Sequence, residues 1–187
     1  MMANEDYYEY LKQRSRFGLR YRRHWLYPRL CRYVNGRTLD VGCGIGDFLR
    51  FRPGTVGADI NPSAVEWCQR QGLDAHLMLP DQLPFDDGTF DCVVLDNVLE
   101  HLSAPEPLLR EMRRVLRPCG TVVVGVPGKR GYASDPDHKV YYDETGLVST
   151  MGAARFGRRA LFHAPFRFEL LNARMRQYCV YGVFERG

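Results

Sequence analysis

Residues 39–49 read Leu-Asp-Val-Gly-Cys-Gly-Ile-Gly-Asp-Phe-Leu. An apolar run, three glycines at alternate positions and a second apolar run predict a strand, a tight turn and a short helix, which Pro53-Gly54 stops. Glycine permits the turn and lets a ligand lie directly on the backbone. Working outward, 56–60 (Val-Gly-Ala-Asp-Ile) is a second strand, and Asn61-Pro62-Ser63 opens a helix to about Gln71. Residues 75–79 are a weak third strand, Asp91 to Leu95 a fourth, 105–116 an amphipathic helix and Thr121 to Val126 a fifth strand. A helix over 142–151 follows, then strands at 166–172 and 177–184. Upstream, residues 5–35 carry aromatic and aliphatic residues at helical spacing, with a break expected near Gly18 or Pro28. Alternating strands and helices imply a parallel sheet covered on both faces, with the closing pair as a hairpin.

The glycine loop is not a dinucleotide fingerprint. That pattern wants a third glycine where this chain has Asp47. Asp40 and Asp47 would also set negative charge beside a pyrophosphate. The cofactor that fits carries cations and no phosphate, as S-adenosylmethionine does with its sulfonium and ammonium groups. Asp59, ending the second strand, suits a pair of ribose hydroxyls. Three close glycines also make plain tight turns, but a strand before, a helix after and an acid at the next strand end favour a binding loop.

Composition sets the outer limits. The 187 residues are 45% hydrophobic and 26% charged, which suits one globular domain and excludes a disordered chain. No apolar run approaches a membrane span, and the opening MMANEDYYEYLKQ does not read as a signal peptide. The six cysteines form no Cys-x-x-Cys pair, so a cysteine-based zinc site is not expected and reduced thiols in a cytoplasm are the simplest reading. The net charge of +4 divides unevenly. Residues 1–37 hold nine Lys/Arg against three Asp/Glu, residues 38–150 ten against seventeen, and residues 151–187 seven against two. The acidic middle suits a ligand with cationic groups, while the basic ends are either solvated faces or face an anionic substrate, a nucleic acid or a membrane surface.

LDVGCGIGDFL (39–49), GADIN (57–61), LPFDDGTFDCVVLDNVLEHL (83–102) and REMRRVLRPCGTVVVGVP (110–127) together resemble successive motifs of class I S-adenosylmethionine-dependent methyltransferases. The resemblance covers residues 37–127. It implies an α/β, Rossmann-like, doubly wound sheet of seven mostly parallel strands, the last antiparallel, in three α-β-α layers. It places Asp40, Gly42 and Gly44 at the methionine part of S-adenosyl-L-methionine, Asp59 on the ribose and Ile60 on the adenine. Relatives often have an acid five residues before Pro84. Here that residue is Leu79, and Asp81 is assigned in its place.

The acceptor side is read from two clusters. Asp96 and Asn97 end the fourth strand and line the methionine and acceptor site, since ligands sit at the carboxyl ends of parallel strands. His101 is a candidate base, or a histidine bonded within its own helix. With Glu100 and a distant third ligand it could hold a metal, but one Glu-His pair specifies none and no metal is assigned. His138 and Tyr141, in the loop after the fifth strand, are the other catalytic candidates, and Lys129, Arg130 and Lys139 could hold an acceptor phosphate or carboxylate. Residues 1–36 are read as a basic helical lid, with Arg16, Arg20 or Arg23 pairing with the cofactor carboxylate, and 37–187 as the methyltransferase domain. The function expected is methyl transfer to a small or medium-sized acceptor, such as a sugar, a glycan or a lipid-linked precursor. The alternatives are a noncatalytic cofactor-binding scaffold, an RNA methyltransferase and a nicotinamide-dependent oxidoreductase. A monomer or homodimer is expected, with no membrane span, surface association open and no nucleic-acid partner.

Overall fold

The computed structural model describes residues 16–187. A helical run opens it: α1 (Arg16–Tyr21), a π turn (Arg22–Leu26) and α2 (Tyr27–Leu30). Then come β1 (Thr38–Val41), α3 (Asp47–Phe51), β2 (Thr55–Asp59), α4 (Pro62–Arg70), β3 (Ala75–Leu77) and β4 (Phe90–Asp96). A 3₁₀ turn (Leu99–His101) precedes α5 (Glu106–Val115), β5 (Leu116–Pro127), α6 (Lys129–Tyr132) and α7 (Glu144–Ala153). The order ends with β6 (Phe156–Ala164), α8 (Glu169–Arg174) and β7 (Cys179–Arg186).

The seven strands form one sheet in the order β3-β2-β1-β4-β5-β7-β6. The pairings among β1 to β5 are parallel, while β7 runs antiparallel to both β5 and β6. The fold is thus the doubly wound, Rossmann-like sheet expected, with the last strand reversed.

The central strands β1, β2, β4 and residues 120–127 of β5 are buried on both faces, which is why they read as continuous apolar runs. Successive side chains point to opposite sides. Val93, Leu95, Val122 and Val124 enter one core with Leu109, Met112 and Val115 of α5. Cys92, Val94, Val123 and Tyr181 enter the other core, against Leu26, Tyr27 and Leu30 from the N-terminal run. Helix α4 starts where it does because Asn61 Oδ1 accepts from the amides of Ser63 and Ala64, and Pro62 sits in the first turn.

Two expectations are corrected. The strand expected at 166–172 is a turn followed by α8. Phe166, Phe168 and Leu170 alternate as strand residues do, yet all three are exposed. The strand next to β7 is instead Phe156–Ala164. It is the sheet edge, and edge strands tolerate charges such as Arg158 and Arg159 that hide the strand pattern. The break expected at Gly18 or Pro28 is the π turn between them. Pro28 lies in the first turn of α2, where a missing amide hydrogen costs nothing. The part of the N-terminal reading that concerns residues 1–15 lies outside the described residues.

Candidate active site

Strand ends and the loops leaving them build the site. Gly42, Gly44 and Gly46 all take positive φ, at +75°, +52° and +79°. The Gly42 amide donates to the Ala58 carbonyl at 2.8 Å. A Cβ at Gly42 would lie 2.4 Å from Val98 Cγ2, so the loop is closed against the segment after β4. Gly44 donates its amide to Asp59 Oδ2 at 2.7 Å, and Asn61 donates to Asp59 Oδ1 at 2.9 Å. A carboxylate has about four acceptor positions, so Asp59 keeps capacity for a further donor. The next residue, Ile60, is 51% exposed at the end of β2, an apolar surface open for a flat ring. Asp81 lies exposed in the turn that the Leu79–Gln82 bridge closes.

Asp40, Asp59 and Asp96 belong to adjacent strands, in β1, β2 and β4. Burial, then Asp96 and Asp59, push the Asp40 carboxyl well above the usual carboxylate range. Burial also pushes Asp59 up, against the pull of its backbone donors. This crowding of acids is hostile to a polyphosphate and suited to a ligand with cationic groups.

Asp96 is held from three sides. Arg22 Nη1 donates to Oδ2 at 3.0 Å; the Tyr181 hydroxyl and the Asn97 amide donate to Oδ1 at 2.7 and 2.9 Å. Asn97 itself takes φ +57° and donates its backbone amide to the Gly125 carbonyl. Among the described residues the N-terminal arginine bonded to Asp96 is Arg22; Arg20 and Arg23 are exposed, and the side chain of Arg16 lies outside the described residues. Sequence offered no local signal for that choice, since helical phase across a π turn shifts which residue faces inward.

The acceptor-side residues also converge. His101 and His138 meet edge to face with ring centroids 4.6 Å apart. Tyr132 stacks on His138 and meets Tyr141 edge to face. Lys129 ion-pairs with Glu169 at 3.0 Å, while Arg130 and Lys139 are exposed.

A further network was missed by sequence. Tyr178 donates its hydroxyl to His163 Nδ1 at 2.6 Å, and His163 Nε2 lies 3.0 Å from Glu144 Oε1. Its members come from three distant segments. Burial lowers the His163 pKa below its usual 6.5, with Arg167 acting the same way and Glu144 and Glu169 opposing. The unfolded chain therefore takes up this proton before the native one does. Its contribution to stability is present above pH 6.5 and lost as pH falls below it. Urea unfolding of His163→Gln should accordingly lose less stability than the parent between pH 7 and pH 5, measured as the difference between the two curves. Parallel curves for parent and variant would refute that assignment.

Residues 39–124 match the family model described as "Methyltransferase domain". An uncharacterized protein of Methanocaldococcus jannaschii is 30% identical over 91 residues, covering 49% of this chain and 44% of that one. The ubiquinone/menaquinone biosynthesis C-methyltransferase of Hahella chejuensis is 35% identical over 101 residues, covering 46% and 41%. The chain thus spans less than half the length of these curated relatives. A solved S-adenosylmethionine-dependent methyltransferase of Thermotoga maritima superposes with a TM-score of 0.79 at 16% identity, covering 98% of this chain and 97% of that one. At that identity the likeness concerns the fold.

Proposed function

We infer, from a chain whose residues 39–124 belong to the class I S-adenosylmethionine-dependent methyltransferase family, that it transfers a methyl group to a small or medium-sized acceptor. The observation that carries this reading is the acidic crowding of Asp40, Asp59 and Asp96 around a glycine loop with positive φ. That arrangement matches the charge of S-adenosyl-L-methionine. Asp59 would take the ribose hydroxyls with its remaining acceptor positions, and Ile60 would pack on the adenine. Asp40 and the Gly42–Gly44 backbone would face the methionine part, with Asp81 beside the adenine. When bound, the cofactor supplies a methyl group on a positive sulfur.

The chain's own contribution is alignment and exclusion of water. Asp96, fixed by Arg22, Tyr181 and Asn97, holds one wall rigid. The helical run carrying Arg22 covers that wall and acts as a lid over it. His101, His138 and Tyr141 supply the acceptor side. A sugar, glycan or lipid-linked precursor is the acceptor class we favour, because Arg130 in α6 and Lys139 in the loop after it stand exposed and suit an anionic group.

Calorimetric titration with S-adenosylmethionine, S-adenosylhomocysteine and NAD tests the reading. Micromolar binding of the first two and none of NAD is expected, followed by formation of S-adenosylhomocysteine once anionic sugar acceptors are added. Binding of NAD in place of the other two would overturn it.

A further inference from the structure

Glu100 is fully buried, and neither of its carboxylate oxygens has a hydrogen-bond partner among the described residues. A buried carboxylate left without donors is strongly unfavourable. Its backbone is anchored, since the amides of Lys139 and Val140 both donate to the Glu100 carbonyl. That pairing draws the loop after α6 across the 3₁₀ turn and delivers His138 beside it. Glu100, His101 and His138 then each offer one donor atom, all within 4.8 Å of one another.

The imidazole of His138 is oriented from behind. His138 Nδ1 lies 2.8 Å from the Tyr132 carbonyl. A carbonyl only accepts, so Nδ1 carries the hydrogen and Nε2 is left with its lone pair. That Nε2 is 3.7 Å from Glu100 Oε1, too far for a hydrogen bond. The ring of His101 packs edge to face against that of His138, with centroids 4.6 Å apart, so the two imidazoles share one site. A backbone carbonyl holding the far nitrogen of His138 is the arrangement that orients metal-binding histidines. Asp135 Oδ2 lies 3.9 Å from His138 Nε2 and adds negative charge nearby.

We propose that Glu100, His101 and His138 bind a divalent first-row transition ion of the zinc or cobalt kind. Two imidazoles and one carboxylate suit such ions and not magnesium or calcium. Bonds of about 2.0–2.2 Å to nitrogen and oxygen require the three donors to draw together by roughly an ångström on loading. Three protein donors leave a position for water or a substrate oxygen. Resting on the methyl-transfer reading, that position assigns a hydroxyl or other oxygen-bearing acceptor, and it makes His101 and His138 ligands rather than bases.

The test uses the purified chain, stripped with chelator and titrated with Co²⁺ while its visible absorption is followed. One equivalent should bind and be displaced by Zn²⁺ but not by Mg²⁺. Glu100→Gln and His138→Gln should each weaken binding by about 100-fold or more, with folding checked by circular dichroism. X-ray absorption on the Zn²⁺-loaded parent should count two imidazoles, which keeps the test decisive if a variant fails to fold. Absence of stoichiometric binding, equal competition by Mg²⁺, unchanged affinity in folded variants, or fewer than two imidazoles would each overturn the proposal. Titration of the stripped protein with S-adenosylhomocysteine separates the two readings, because loss of metal binding with retained S-adenosylhomocysteine binding removes only the metal.

Discussion

Asp59→Ala should weaken binding of S-adenosylmethionine and S-adenosylhomocysteine by about 100-fold, on the order of 2.7 kcal/mol. The carboxylate is 6% exposed at the carboxyl end of β2 and already accepts the amides of Gly44 and Asn61. Those bonds hold the glycine loop to the next strand and point the remaining acceptor capacity outward. Hydrogen bonds to a charged acceptor contribute about 1.5–3 kcal/mol each, so loss of the ribose pair accounts for the figure even with partial rescue by water. Asp59→Asn separates the two roles. Its carbonyl oxygen still takes one backbone amide, while the charge and half of the acceptors are gone, so it should fall between parent and alanine variant. Calorimetry on both variants, with thermal unfolding as the folding control, gives the answer. Parent-like affinity in a folded Asp59→Ala would remove the ribose role from Asp59.

Gly125→Val tests the wall of the site. Valine is the better strand former, by up to about 1 kcal/mol, and its neighbours in β5 are valines. Local preference therefore predicts a gain. The packing predicts the reverse. A Cβ at Gly125 would sit 2.3 Å from Tyr181 Cε1 and 2.5 Å from Asp96 Oδ1. The Tyr181 ring has nowhere to go: it is fully buried, stacked on Phe162 at 4.9 Å, and its hydroxyl is bonded to Asp96. Overpacking of a tight core costs about 1–3 kcal/mol and sometimes more. We expect the upper part of that range, a fall in Tm of roughly 6–10 °C for a chain of this size. Gly125→Ala should show a smaller loss in the same direction. A valine variant as stable as the parent would mean that Tyr181 is free to move and that the Asp96 wall is not rigid.

How much of this was legible in the sequence depends on how far apart the partners lie. The glycine loop and Asp59 were legible because strand, turn and acid follow each other within residues 39–60, and each carries its own local constraint. The clustering of Asp40 with Asp59 and Asp96 followed from the same pattern, since parallel strands end on one side. The Arg22–Asp96–Tyr181 arrangement was not legible. It joins residues 74 and 85 positions apart, and a π turn changes which arginine faces the sheet. Residues 166–172 misled for a different reason. Phe166, Phe168 and Leu170 have the spacing of a strand, but the place beside β7 that they would fill is taken by 156–164. Glu100 was visible as a residue type and its burial was not. Only the pairing of 139–140 with its carbonyl brings His138 to it.

The placement of β7 between β5 and β6 bears on how the molecule assembles in time. β6 precedes β7 in the chain yet has no other strand beside it among the described residues. It cannot join the sheet by itself. Before β7 arrives, β5 offers a bare row of amides and carbonyls along Thr121 to Pro127, flanked by a run of valines. Such an open, flat, apolar edge is where a half-made sheet captures a second copy of itself. Pairing of β7 with β5 closes a long stretch of chain and is expected to be costly in loop closure. Yield from denaturant should consequently fall as protein concentration rises, even under conditions where the finished fold is stable.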